Sequence, residues 1–194
     1  MLRRHPALAI VIGLALAGFG MLGFANGAAL TAPYLAIVAG GALLIGSTDQ
    51  RANFSNVALV GLALWGVGHL AGGIVELDGG RILYNALLPG RIHFDNVVHF
   101  IGFGSAGLAC WDAMRNHVSL PALSSFLVAW LAAMGVGAFN EVIEFGITHV
   151  QTATQIGGFQ NTGRDLVANM LGGAVAGVIA ARRAGEARLC AFSG

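Results

Sequence analysis

Six long apolar runs, set apart by short polar segments, account for most of the chain. They cover residues 7 to about 24, 28 to about 45, 57 to about 75, 95 to 111, 121 to 144 or slightly beyond, and 165 to about 181. Each comes close to the ~20 residues that a helix needs to cross a bilayer core. The pattern therefore predicts an all-α polytopic membrane helical bundle of about six transmembrane helices. So many spans leave little chain for a soluble domain, and residues 1–194 read as a single transmembrane domain. The first run, preceded by Arg3 and Arg4 and followed by Ala-Asn-Gly-Ala, has the outline of a secretory leader but is read as a retained first span.

Composition agrees with the pattern. Hydrophobic residues make up 56% of the chain and charged residues 10%, which places it among integral membrane proteins with the lipid bilayer as its first partner. A net charge of +1 argues against nucleic acid as a partner. Every basic group other than histidine is arginine, and the arginines are unevenly shared. Arg3, Arg4, Arg51, Arg115, Arg182, Arg183 and Arg188 fall on one side of a six-span arrangement, whereas Arg81, Arg91 and Arg164 fall on the other. By the positive-inside rule both termini are expected in the cytoplasm. Cys110 and Cys190 would then lie on the reducing side and are expected to be free thiols.

The first two spans carry no chemistry and read as scaffold. Chemistry begins with His69 in the third. Asp95 and His99 open the fourth span four residues apart, on one helix face. Glu141 and Glu144 end the fifth span three residues apart, again on one face. Asp165 and Asn169 open the sixth. Alternating spans bring all of these to the outer ends, beside a long loop, residues 76–95, of a length common for functional loops. Ionised groups in hydrocarbon need partners or a wet cavity, so a shared polar site is expected, with a purely structural hydrogen-bond network as the alternative.

Two histidines and several carboxylates suit Zn, Mn or Fe through nitrogen and oxygen ligands. In that reading His69, Asp95, His99 and Glu141 are metal ligands, and Glu144 or Asp165 is the general base for metal-assisted hydrolysis of a lipid-linked or envelope substrate. A proton-linked network without metal, a haem held by the two histidines, and an accessory subunit associated with other membrane subunits are the other classes left open.

The segments F-D-N-V-V-H-F at residues 94–100, E-V-I-E at 141–144 and R-D-L-V-A-N-M-L-G-G at 164–173 resemble the signature of VanZ-like membrane proteins. The chain resembles the related YjdF-type family of bacterial inner-membrane proteins more closely still. That family carries a histidine before the central loop, a D-x-x-x-H pair, E-x-x-E, and D-T-x-x-D opening the last span. Here these correspond to His69, to Asp95 and His99, to Glu141 and Glu144, and to Thr162 with Asp165; Asn161 stands where the family has its first Asp of the last segment. The resemblance covers about residues 57–181 and implies a multi-pass protein of the bacterial inner membrane. VanZ-like proteins are associated with glycopeptide-antibiotic resistance, and the YjdF-type resemblance brings no reaction with it.

Overall fold

Each apolar run folds as one helix, because a helix satisfies its backbone hydrogen bonds internally where no water is available. The computed structural model describes residues 4–150 and 158–192. Its helices are α1 (Pro6–Ala25), α2 (Thr31–Ala52), α3 (Asn56–Ile74), α4 (Phe94–Arg115), α5 (Ala122–Val150) and α6 (Phe159–Phe192). All six are long and apolar enough to cross a membrane. Local signals set several ends. Pro6 occupies the first turn of α1, where its missing N–H costs nothing. The Ser55 side chain accepts from the Ala58 N–H to cap α3, and α2 stops at Asn53 with φ 52, a left-handed terminator.

Most helices extend past the apolar runs that announce them, α2 and α6 furthest. The polar segment expected to connect the second and third spans is mostly the last turn and a half of α2, and α6 begins at Phe159, ahead of Asp165. Polarity marks where a span meets polar surroundings and not where its hydrogen bonding stops. The long loop also has structure. Strands β1 (Glu76–Leu77) and β2 (Arg81–Ile82) form one antiparallel hairpin, and β3 (Leu87–Leu88) and β4 (Ile92–His93) a second, with a single 3-10 turn at Leu83–Asn85 between them. The Leu83 N–H donates to the Val75 carbonyl at 2.9 Å and the Phe94 N–H to that of Ala86 at 3.0 Å, which ties the loop to the ends of α3 and α4.

Helices α4, α5 and α6 pack closely on one another, α3 packs on α4, and α1 and α2 lie against α3. The α4–α6 contact is backbone to backbone: a Cβ on Gly104 would sit 2.7 Å from the Gly172 carbonyl oxygen, and one on Gly172 would strike the Phe100 carbonyl. Small residues allow this approach, which dispersion forces reward in lipid. The outward surface is apolar, with Leu43 74% and Met21 71% exposed; surfaces of that kind are expected to face lipid tails.

We call the end carrying the hairpins distal and the end carrying Arg4 proximal. The proximal end holds a polar cluster drawn from the short polar segments that separate the apolar runs. Asp49 and Asp112 are both fully buried. The Arg4 guanidinium reaches Asp49 Oδ1 at 3.1 Å and donates to Asn53 Oδ1 at 2.7 Å. Asp112 accepts from the Ser55 N–H at 2.8 Å and pairs with Arg115 at 3.0 Å and Arg183 at 3.9 Å, while Asn116 donates to the Ala52 carbonyl. Part of the arginine bias that sets orientation is thus also structural pairing. Cys110 is a free thiol; the side chain of Cys190 lies outside the described residues. Reporter fusions after Phe24, Asp78 and Gly158 should all give external signals, and a cytoplasmic signal at Asp78 would overturn the assigned orientation.

Candidate metal centre

At the distal end, α3 and α5 arrive and α4 and α6 depart, so chemically active residues far apart in the chain meet at one depth. Asp95 and His99 come from the first turns of α4, Glu141 and Glu144 from the last turns of α5, and Asp165 and Asn169 from the second and third turns of α6. His99 is at the centre and is buried. Its Nδ1 lies 3.2 Å from Asn169 Oδ1 and 3.6 Å from Glu141 Oε1. Its Nε2 lies 3.6 Å from Asp95 Oδ1 and 4.0 Å from Glu144 Oε1. Only the asparagine contact is within hydrogen-bond range. With Nδ1–H donating to Asn169, the lone pair is left on Nε2, a tautomer assigned from the hydrogen-bond network.

Asparagines orient the carboxylates. Asn96 donates to Asp165 Oδ1 at 2.7 Å, and Asn161 donates to Asp165 Oδ2 at 2.6 Å and to Asp95 Oδ2 at 3.2 Å. Asn140 donates to Glu144 Oε1 at 2.7 Å. Asn161, the departure from the YjdF-type pattern, therefore bridges two carboxylates where an aspartate would add a third negative charge. Glu141 differs from the others. Thr162 and Asn140 approach it, yet neither buried oxygen has a partner at hydrogen-bonding geometry.

Two groups of side chains that could hold a metal ion each bring one donor atom within 4.8 Å of the others, Asp95 with His99 and Asp165, and His99 with Glu141 and Glu144. His99 belongs to both. No arginine among the described residues forms an ion pair with these carboxylates, and only Arg164 acts on one of them, Asp165, through space. Like charges so close in a weakly polarisable interior repel strongly, which favours bound protons or a bound cation among them.

His69 stands beside these sets and belongs to neither. It is buried between Trp65, stacked at 5.2 Å between ring centroids, and Tyr34, edge-on at 4.9 Å. The Tyr84 hydroxyl lies 2.5 Å from His69 Nδ1 and 3.2 Å from the His69 carbonyl oxygen. Burial pushes the Tyr84 hydroxyl well above its usual pKa, so it keeps its proton. Both contacts are satisfied together if the hydroxyl donates to the carbonyl and accepts from Nδ1–H, which leaves the unpartnered Nε2 of His69 as a free lone pair. His69, Asp95, Glu144 and Tyr84 line a common cavity of about 30 Å³, room for a water or two, or a metal ion.

The sequence reading names Asn169 and, only as a departure from a family pattern, Asn161; it does not anticipate Asn96, Asn140 or the tyrosines. Asn140 and Asn161 precede Glu144 and Asp165 by four residues, a helix-neighbour spacing that was available as a signal. Nothing local points to Asn96, or to the packing of both tyrosines of the chain around His69; Tyr34 and Tyr84 fit there because Gly73 and Gly72 of α3 leave space that a Cβ would close.

Comparison with known proteins adds a family but no reaction. A family model described as "Predicted membrane protein (DUF2238)" matches residues 6–186, which takes in the first two spans left out of the resemblance over 57–181. No curated protein and no solved structure matches the chain. Six membrane-length helices and a family match over nearly the whole chain lead to one conclusion: the protein belongs to this family of multi-pass membrane proteins.

Proposed function

We propose that this protein is a YjdF-type, VanZ-like protein of the bacterial inner membrane whose distal centre holds a divalent metal, Zn, Mn or Fe, and acts on a lipid-linked or envelope substrate. The observation that carries the reading is the spacing around His99 Nε2. Its neighbours at 3.6 and 4.0 Å are too far for hydrogen bonds. Two ligands sharing a tetrahedral ion at ~2.1 Å stand about 3.4 Å apart, close to the shorter of these distances. The Asn169 contact to Nδ1 is the support that a ligating imidazole ordinarily has on its other nitrogen.

In this reading His99 and Asp95 supply ligands from α4, and Asp165, held at both oxygens by Asn96 and Asn161, completes the set from α6. Glu141 lies beside the Nδ1 of His99 at 3.6 Å, on the side away from the Nε2 lone pair, and adds a further buried carboxylate to the site. Glu144, oriented by Asn140, is placed to act as general base. A divalent ion held by these residues would supply an activated water for hydrolysis of an ester; Glu144 would take the proton of that water and return it to the leaving oxygen as the ester bond breaks.

Elemental analysis of purified protein is the test. Close to one equivalent of Zn, Mn or Fe is expected, with a chelator lowering the thermal midpoint by mass action. Metal-free protein that is indifferent to both chelator and added metal would remove this reading.

A further inference from the structure

We propose that the groove between α4 and α6 at the distal end binds the phosphate headgroup of an anionic membrane phospholipid, and that phosphate-bearing lipids are the substrate class offered to the centre beside it. The second half rests on the metal-centre reading; the binding itself does not.

The groove has a cavity volume of about 690 Å³, far larger than the small cavity at His69. Its mouth carries Arg91 and Arg164, and its wall is built from Val97, Phe100, Val167 and Leu171. These are two of the three arginines on this side of the bundle, so most of the distal positive charge of arginine borders one apolar surface. Neither guanidinium forms an ion pair with a carboxylate among the described residues, although Arg164 is near enough to Asp165 to act on it through space. Arg164 is oriented instead by a 3.2 Å contact to His93 Nε2. Arg91 has φ 61 in the Pro-Gly-Arg turn between β3 and β4, a left-handed position that glycine favours. Keeping a cation there against local strain is a reason to look for an anion.

The groove sits where a lipid could use it. Past Phe100 a second apolar depression continues between α3, α4 and α6 along Val60, Leu64, Gly104, Ser105 and Val175, a track for an acyl chain. Arginine at the mouth matches a phosphate oxygen pair. Asn96 lines the groove and also donates to Asp165, so a headgroup held there lies one side chain from the centre.

The test measures phosphatidylglycerol and phosphatidylcholine retention on the detergent-purified full chain by native mass spectrometry, with metal content read on the same samples. Arg91→Gly removes the charge while suiting the backbone, and Arg164→Gln keeps most of the side-chain length. The parent should retain phosphatidylglycerol over phosphatidylcholine, and the double variant should bind it on the order of 10-fold more weakly with an unchanged thermal midpoint. Equal retention of the two lipids by the parent, or undiminished retention by the double variant, would overturn the groove as a lipid site. Arginine-dependent retention by a parent without metal would uphold the groove and sink the metal reading; a metal-loaded parent whose lipid binding ignores both arginines would do the reverse.

Discussion

His99→Ala is expected to abolish metal binding and to destabilise the bundle in one step. Both sets of ligating atoms contain His99, so no alternative grouping keeps an imidazole once it is gone. Losing even a supporting hydrogen-bond partner of a ligand commonly costs 10–100-fold in affinity; loss of the shared ligand should exceed about 100-fold by the same measure. The alanine also removes the basic group that separates Asp95, Glu141 and Glu144, and it leaves the Asn169 oxygen without its donor. Uncompensated burial of this kind costs about 3–5 kcal/mol, an effect to be read as a lower thermal midpoint in detergent. Val142, 63% exposed on the same helix as the glutamates, supplies the control: Val142→Leu should keep both metal and midpoint. A His99→Ala protein with the parent's midpoint would count against any connected site, metal or not, because a side chain at the centre of a buried polar network should not be removable without consequence.

Asp112→Ala should be as damaging to stability and yet leave the metal content unchanged. Asp112 is fully buried at the proximal end, where it accepts from the Ser55 N–H and faces Arg115 and Arg183. Removing it strands the N–H of Ser55, the last residue before α3, and leaves Arg115 and Arg183 with water in place of the shared carboxylate, at a cost of about 3 kcal/mol. Asp112→Asn keeps an acceptor for Ser55 without the charge, and its loss should be nearer the ~1–3 kcal/mol of a weakened buried hydrogen bond. Thermal midpoints of the two variants, ranked parent above Asn above Ala, are the expected order. An Asp112→Ala protein as stable as the parent would show that the proximal cluster does not hold α2, α3, α4 and α6 together. Metal content separates the two ends: a change there on altering Asp112 would mean that the distal centre depends on the whole bundle.

The sequence by itself determined the number and order of the helices and the end at which their polar residues gather. Hydrocarbon forces that result, since an apolar run of about 20 residues has one good conformation and one good location. The i,i+4 and i,i+3 spacings of Asp95 with His99 and Glu141 with Glu144 were equally legible, because helix geometry alone puts such pairs on one face. Tertiary structure decided which of these groups meet. His69 shares the depth of His99 and a small cavity with Asp95 and Glu144, but its packing against Tyr34, Trp65 and Tyr84 keeps it out of both groups of closely spaced atoms, a matter of how α2 and the hairpin loop pack on α3. The asparagine bridges cross from α4 to α6 over 66 and 69 residues, beyond any local pattern. Asp49 and Asp112 fall in the short polar segments between apolar runs, and only packing against Arg4, Arg115 and Arg183 shows them as buried pairs. Apolar burial is written along the chain one residue at a time, whereas the pairing of polar groups depends on which helix faces stand opposite one another, and that is settled by side-chain packing across the bundle.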